Sequence, residues 1–240
     1  MSDLPAYDAW AWIFDRYWAH DLFLEPLQRL VLTDLPPPAR ILDLCCGSGL
    51  LAAQLSELGY RVTGLDASGE TLAIARERAP ACRFMQGDAR AFSFDERFDL
   101  VVATYDSLNH ILQLDELRQV FGCVRRSLAP GAPFVFDLGT EEGFQTSWSE
   151  PHIVVEDDLV VVGRGEYHPG DRLAEYRITI LRTEGGWVRE DVAVSERYHR
   201  PEDVLELLGE EGFVDVSIAA ATDLGMEDSS DRNFFRAQAR

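Results

Sequence analysis

The run Ile41-Leu42-Asp43-Leu44-Cys45-Cys46-Gly47-Ser48-Gly49 carries an apolar strand into an acidic residue, then into a small-residue turn ahead of a helical stretch, Leu50–Leu58. Glycine at 47 and 49 lets the backbone approach a flat ligand closely, because glycine takes positive φ without strain. A second apolar run, Val62-Thr63-Gly64-Leu65, ends in Asp66, seventeen residues past Gly49. A third, Arg83–Met85, leads into Gln86-Gly87-Asp88-Ala89. In a doubly wound sheet such carboxylates stand at the carboxyl ends of neighbouring strands. There Asp66 can accept both ribose hydroxyls of an adenosine ligand, and Asp88 an adenine amino group. Singly, each aspartate reads as well as a helix N-cap or turn residue. Three at three successive strand ends point to one site. The dinucleotide fingerprint GxGxxG does not fit, since Cys45 and Leu50 occupy its outer glycine positions; this opposes a nicotinamide-dependent reductase.

The elements that must position these residues follow from periodicity. Residues 6–32 are rich in Trp, Tyr, Phe and Leu and read as one or two amphipathic helices, stopped by Leu35-Pro36-Pro37-Pro38. From 40 to 137, short apolar runs (Ile41–Leu44, Val62–Leu65, Arg83–Met85, Leu100–Ala103, Pro133–Phe136) alternate with helical spacing over Leu50–Leu58, Glu70–Arg78 and Asp115–Leu128. That alternation predicts an α/β fold, a parallel sheet with helices on both faces. Beyond Gly139 the period becomes two. Ile153–Val162, Leu173–Leu181 and Val188–Tyr198, punctuated by Pro169-Gly170-Asp171 and Gly185-Gly186, predict an antiparallel sheet inserted into the chain. A helix over Pro201–Glu211 and strands over Val214–Ala220 and Asn233–Ala239 follow. The expected division is a helical lid segment over 1–39, a core from 40–139 and 201–240, and an inserted sheet over 140–200 that walls an acceptor site.

ILDLCCGSG, VTGLDAS, MQGDAR, FDLVVATYDSLNHI and LAPGAPFVFDL, in that order, resemble the class I S-adenosylmethionine-dependent methyltransferases over about residues 40–138. The N-terminal YDAWAWIFDRYW, the inserted sheet and the terminal DRNFFRAQAR loosely resemble a bacterial small-molecule branch that includes amino-sugar N-methyltransferases. The resemblance implies a doubly wound, Rossmann-like sheet of seven mostly parallel strands. It also implies S-adenosylmethionine as cofactor and S-adenosylhomocysteine as product. Gly47, Gly49 and Cys45 would line the methionine end, with Asp43 below the turn. Asp66 would take the ribose, with Ala67 beside the adenine, and Asp88 and Ala89 would bound the adenine pocket. Thr104, Tyr105 and Asn109, after the fourth strand, would face the sulfonium and the acceptor. Cys45 and Cys46 stand where the family usually has glycine; buried cysteines behave mostly as small hydrophobes rather than reactive thiols.

Methyl transfer from a sulfonium needs in-line placement and exclusion of water, and a base only where the acceptor must lose a proton. Asp106 and His110 are the candidate bases; Asp106 reads equally as a helix cap, and His110 as a structural histidine. Tyr7 is the preferred lid residue among the N-terminal aromatics. Arg164, Tyr176, Arg177, Trp187, Arg189, Tyr198 and His199 are expected on the acceptor wall, with some of the arginines on a solvated face. The histidines show no metal-ligand spacing, and no metal is expected. The four cysteines show no metal or disulfide pattern. No signal peptide or membrane span is legible, so a cytoplasmic protein is expected. The chain holds 22 Lys+Arg against 42 Asp+Glu, a formal charge of -20. Nucleic-acid binding draws on phosphate neutralisation, so the charge favours a small-molecule N- or O-acceptor over the alternative of tRNA or rRNA. A cofactor-binding regulatory module without turnover is the other alternative. Nothing in the sequence reports oligomeric state.

Overall fold

A computed structural model describes residues 12–17, 23–183, 185–226 and 231–240. Helix α1 covers residues 12–17, and α2 (Leu24–Leu30) follows. Then come β1 (Arg40–Leu44), α3 (Leu50–Glu57), β2 (Arg61–Asp66), α4 (Gly69–Arg78), β3 (Arg83–Gln86), β4 (Leu100–Ala103), α5 (Leu114–Ser127) and β5 (Pro133–Gly139). These strands, with β10 (Phe213–Ala220) and β11 (Arg232–Ala239), form one seven-stranded sheet in the order β10-β11-β5-β4-β1-β2-β3. Only β11 runs against its neighbours, pairing antiparallel with both β5 and β10. The expected mostly parallel, seven-stranded α/β sheet is therefore present.

The apolar runs are continuous because both faces of these strands are covered. Leu42, Leu44, Val101, Ala103, Phe134, Phe136 and Phe235 pack on one side with α5 and helix α7 (Pro201–Glu210). Ile41, Leu100, Val102, Val135 and Phe234 pack on the other with α2 and α3. Strand order reverses between β1 and β4. Connections leave that point in opposite directions and open a crevice at the carboxyl ends of the two strands.

Short helix α6 (Glu141–Gln145), started by Thr140 Oγ1 accepting from Gly143 N, leads into the second sheet, β6-β7-β8-β9. The segment predicted as one strand over Ile153–Val162 is two: β6 (His152–Val155) turns back at 156–158 into β7 (Leu159–His168). Glu156, Asp157 and Asp158 make that turn, a polar break that the flanking valines mask in a periodicity count. Strands β8 (Leu173–Thr183) and β9 (Trp187–Arg197) complete the meander. Its inner face, Val161, Tyr176, Ile178, Ile180, Val192 and Val194, buries Ile13 of α1.

The two sheets are fastened at the turn Ser107–His110 after β4. Asn109 is wholly buried. Its Nδ2 donates to the carbonyl of Arg197 (2.7 Å), and its Oδ1 accepts from Gly139 N (3.0 Å). His199 Nε2 meets the carbonyl of Ile111 at 2.9 Å; burial drives its pKa down to about 4, so the ring is neutral and structural. Among the described residues, no helix is long and apolar enough to cross a membrane.

Candidate active site

A cavity of about 1050 Å³ runs from the carboxyl ends of β1–β3, past β4, to the inner face of the second sheet. Its first half is built by backbone. Gly49, at φ +74°, starts α3; a Cβ there would stand 2.9 Å from Ala75 Cβ and 3.1 Å from Ala75 Cα, so α4 closes the position to any other residue. Asp66 reaches across from β2 and fixes the turn, accepting from Gly47 N (2.8 Å) and Ser68 N (2.9 Å). Burial raises its carboxyl pKa while those two amides oppose the rise. Asp43 is 2 % exposed, and its Oδ2 has no hydrogen-bond partner. Burial, with the charge of Asp66 adding, pushes its pKa to about 8. Burial also pushes the Cys45 and Cys46 thiols up, away from the thiolate form.

Asp43, Cys45, Gly47, Asp66, Ala67, Asp88, Ala89, Thr104 and Tyr105 all line the cavity, and Gly49 shapes it from behind. Asp88 carries a partner absent from the sequence reading: Arg90 forks it, Nε to Oδ1 at 2.9 Å and a terminal nitrogen to Oδ2 at 2.7 Å, and also reaches Glu116 at 2.8 Å. This guanidinium holds the Asp88 carboxyl below its usual range. An ionised carboxylate offers about four acceptor sites, so capacity for an amino group remains.

The second half is a side-chain network. Tyr105 and Asp106 follow β4 with φ of +62° and +47°, uncommon for residues with a side chain. The bend puts the Tyr105 ring on Phe23 (centroids 4.1 Å) and aims Asp106 at Arg232 (3.4 Å). Asp106 makes no side-chain cap to the following turn, so the helix-cap alternative fails; Arg232 competes for the carboxylate. Arg232 also pairs with Asp137 (2.7 Å) and Asp231 (3.5 Å). Asp137 is wholly buried and receives the Asp106 amide at 3.0 Å; burial pushes its pKa to about 7, with Arg232 opposing. His110 bridges to the second sheet, Nδ1 to the carbonyl of Ser195 (3.1 Å) and Nε2 to Glu196 Oε1 (3.3 Å).

Asn109, expected beside the acceptor, is instead taken up by two backbone groups and does not line the cavity. Of the seven residues expected on the acceptor wall, Tyr176 alone lines it. Arg164, Arg177 and Arg189 lie on the opposite face with Thr179 and Asp191, and Trp187 is 59 % exposed. Alternation along a strand assigns faces only relative to each other; the buried face became known once Ile178, Val192 and Val194 were placed. Tyr7 lies outside the described residues, as do Trp10, Trp18 and His20. From α1, Phe14 lines the cavity. Asp15 of the same helix receives Arg78 at 2.9 Å, and Arg78 also holds the Ser48 carbonyl of the glycine turn at 2.8 Å. At its far end Tyr17 donates to Glu156 at 2.7 Å. Helix α1 thus spans both halves.

Asp137, Glu196, Asp231 and Arg232 were missed. Two had signals. Asp137 lies near the carboxyl end of a further apolar strand, as Asp43 and Asp66 do in theirs. Glu196 continues the row Val192, Val194, a charge on an otherwise apolar face.

Residues 41–131 match the methyltransferase-domain family. YqeM of Bacillus subtilis, named as a methyltransferase, is 28% identical over 239 residues, covering 97% of this chain and 96% of its own. A Streptomyces fradiae dTDP-3-amino-3,6-dideoxy-alpha-D-glucopyranose N,N-dimethyltransferase is 37% identical over 91 residues, 38% of this chain and 36% of its own. Among solved structures, an S-adenosylmethionine-dependent methyltransferase from Clostridium acetobutylicum shares the fold with a TM-score of 0.78 at 21% identity, covering 97% of this chain and 98% of its own. The sugar N-methyltransferase KedS8 from a Streptoalloteichus species does so with 0.78 at 22%, covering 95% and 92%.

Proposed function

We propose that this chain, whose residues 41–131 match the methyltransferase-domain family, is an S-adenosylmethionine-dependent methyltransferase that transfers the methyl group to nitrogen or oxygen of a small-molecule acceptor. The observation that carries this reading is the shared cavity: one wall belongs to the glycine turn and the strand-end carboxylates, the other to the inner face of the second sheet. A volume of about 1050 Å³ accommodates a nucleoside-sized cofactor and a compact acceptor together. A surplus of carboxylates on its walls, on a chain of charge -20, repels a polynucleotide backbone.

The residues fit the cofactor. The partnerless Oδ2 of Asp43, buried beside the glycine turn, suits the ammonium of a methionine moiety. Asp66 is held rigid by two amides and retains acceptor sites for ribose hydroxyls. Asp88, Ala67 and Ala89 bound the adenine region, and Thr104 and Tyr105 sit toward the acceptor half. When bound, S-adenosylmethionine supplies an already activated methyl group, so the protein contributes placement, charge and dryness. Phe14, Phe23 and Tyr105 shield the middle of the cavity, and α1 ties the glycine turn to the second sheet. Asp106, His110, Glu196 and Arg232 orient the acceptor and manage its proton.

The test is incubation of the enzyme and isotopically labelled S-adenosylmethionine with a cell extract, followed by mass analysis of the small-molecule and RNA fractions. A labelled metabolite is expected. Label confined to RNA would assign the chain to the other substrate class, and no label in any fraction would favour a binding module.

A further inference from the structure

The acceptor half of the cavity is anionic and aromatic at once. Asp106, Glu196 and Asp231 line it against a single guanidinium, Arg232, with Asp137 buried behind. Arg232 is already engaged by three of these carboxylates, at 2.7, 3.4 and 3.5 Å. Glu196 stands outside that arrangement. It is 3 % exposed, and its Oε2 has no hydrogen-bond partner. Its Oε1 faces His110 Nε2. Because His110 Nδ1 meets a carbonyl oxygen, the network assigns that nitrogen its hydrogen. The Nε2–Oε1 contact of 3.3 Å occupies one carboxylate oxygen and leaves Oε2 without a hydrogen-bond partner.

The same cavity is lined by Trp148 and Tyr176, edge to face at 5.2 Å, and by Phe144, 5.3 Å from Trp148. Trp148 sits there because β7 has glycine beneath it: a Cβ on Gly165 would come within 2.2 Å of the indole. Aromatic faces attract cations, and a buried carboxylate oxygen accepts a charge-assisted N–H bond. A phosphate or carboxylate beside Glu196 meets like charge. A neutral alcohol leaves a buried carboxylate uncompensated. An ammonium group satisfies both the oxygen and the rings.

We propose that the acceptor is an amine that enters the cavity as its ammonium form, and that Glu196 binds it and takes its proton. This rests on the small-molecule reading above. An ammonium nitrogen has no free electron pair. One N–H bond breaks, the proton bonds to Glu196 Oε2, and the electron pair stays on nitrogen. That pair forms the new nitrogen–carbon bond to the methyl group while the carbon–sulfur bond breaks, its electrons remaining on sulfur. The positive charge passes from sulfur to nitrogen, still among the carboxylates. The charged groups facing Glu196 are His110, Asp106, Asp137 on β5 and Arg232 on β11. Burial pushes the Glu196 carboxyl well above its ordinary range, Asp106 and Asp137 add to this, and Arg232 opposes it. Such a carboxyl is suited to holding a proton.

The experiment has two arms. First, the extract is treated with an N-hydroxysuccinimidyl ester that acylates amines and spares alcohols, then offered to the wild-type enzyme with labelled S-adenosylmethionine. Loss of the labelled product is expected. Survival of a labelled metabolite would overturn the amine while leaving the small-molecule reading intact; label in RNA alone, before acylation, would overturn both. Second, Glu196→Gln is compared with wild type from pH 6 to 10 on the untreated extract, with S-adenosylhomocysteine affinity measured alongside as a check on folding. The variant should bind S-adenosylhomocysteine normally and transfer about 100-fold more slowly at pH 7. The deficit should shrink at least tenfold by pH 10, where more of the amine is already free base. A folded variant with unchanged transfer, or with a deficit constant across pH, would overturn the role of Glu196. The acylation arm stands even if that variant does not fold.

Discussion

The two halves of the cavity are made in different ways. The cofactor half comes mostly from one short stretch, Asp43 to Arg90, in which the carboxylates lie at or near strand ends, Asp66 held by backbone amides and Asp88 by Arg90. The acceptor half draws on residues 106, 110, 137, 196, 231 and 232, from four elements of two sheets, held by ion pairs and imidazole contacts. A site made largely from local backbone tolerates few substitutions at its turn and depends less on charges brought from distant strands. A site made from buried charges fails when any one counter-charge is removed.

The largest contrast is expected from Arg232→Met. It removes the cation among Asp106, Asp137 and Asp231, leaving a wholly buried carboxylate without its counter-charge. The expected loss is about 3–5 kcal/mol in urea unfolding at pH 7. The loss should shrink toward pH 5, because the Asp137 pKa is raised by burial and the neutral acid is cheaper to bury. Where the variant is folded, S-adenosylhomocysteine affinity should stay near wild type; a collapse of that affinity would mean that the halves are one unit.

Gly49→Ala attacks the other half. Its φ of +74° and the 2.9 Å approach to Ala75 Cβ give an expected loss of about 2–4 kcal/mol, this time with weakened S-adenosylhomocysteine binding in calorimetry. Gly47→Ala, at φ +50° but with open space around the new methyl group, should cost about 1 kcal/mol. Equal costs at the two positions would contradict the packing of α4 against the turn. Asn109→Ala, at the joint, leaves two buried backbone groups unpaired and should cost about 2 kcal/mol without touching cofactor affinity.

Asp43 separates the halves by pH. Its folded pKa, about 8, lies above its ordinary value of 3.8, so its contribution to stability is present in acid and is lost as pH rises from about 4 through about 8. The ionised form is the one that suits an ammonium, so S-adenosylhomocysteine should bind more tightly from pH 6 to 8. The gain should approach about tenfold per unit. Asp43→Asn should flatten that slope; an unchanged slope would remove Asp43 from the methionine end.

This contrast also explains what was legible in the sequence. Asp43, Asp66 and Asp88 each lie within two residues of the end of their own strand, so periodicity located them together with the seven-stranded frame. Glu196 and Arg232 meet Asp106 only after β9 and β11 have been laid beside the turn at 107–110, and no spacing along the chain encodes that. That arginines 164, 177 and 189 are the ones on the outer face is not legible in the sequence, because alternation fixes a strand's two faces without saying which is buried. Asn109 was misread for a related reason: a polar residue after a strand end looks the same whether it faces a ligand or a distant backbone.

The division of labour is tested most directly by calorimetric titration of S-adenosylhomocysteine into wild type, Asp66→Ala and Glu196→Gln, with methyl transfer to the extract measured in parallel. The account predicts that Asp66→Ala loses about 1–3 kcal/mol of binding, while Glu196→Gln binds as wild type does and is defective only in transfer. Equal loss of binding in both variants, or none in Asp66→Ala, would contradict it.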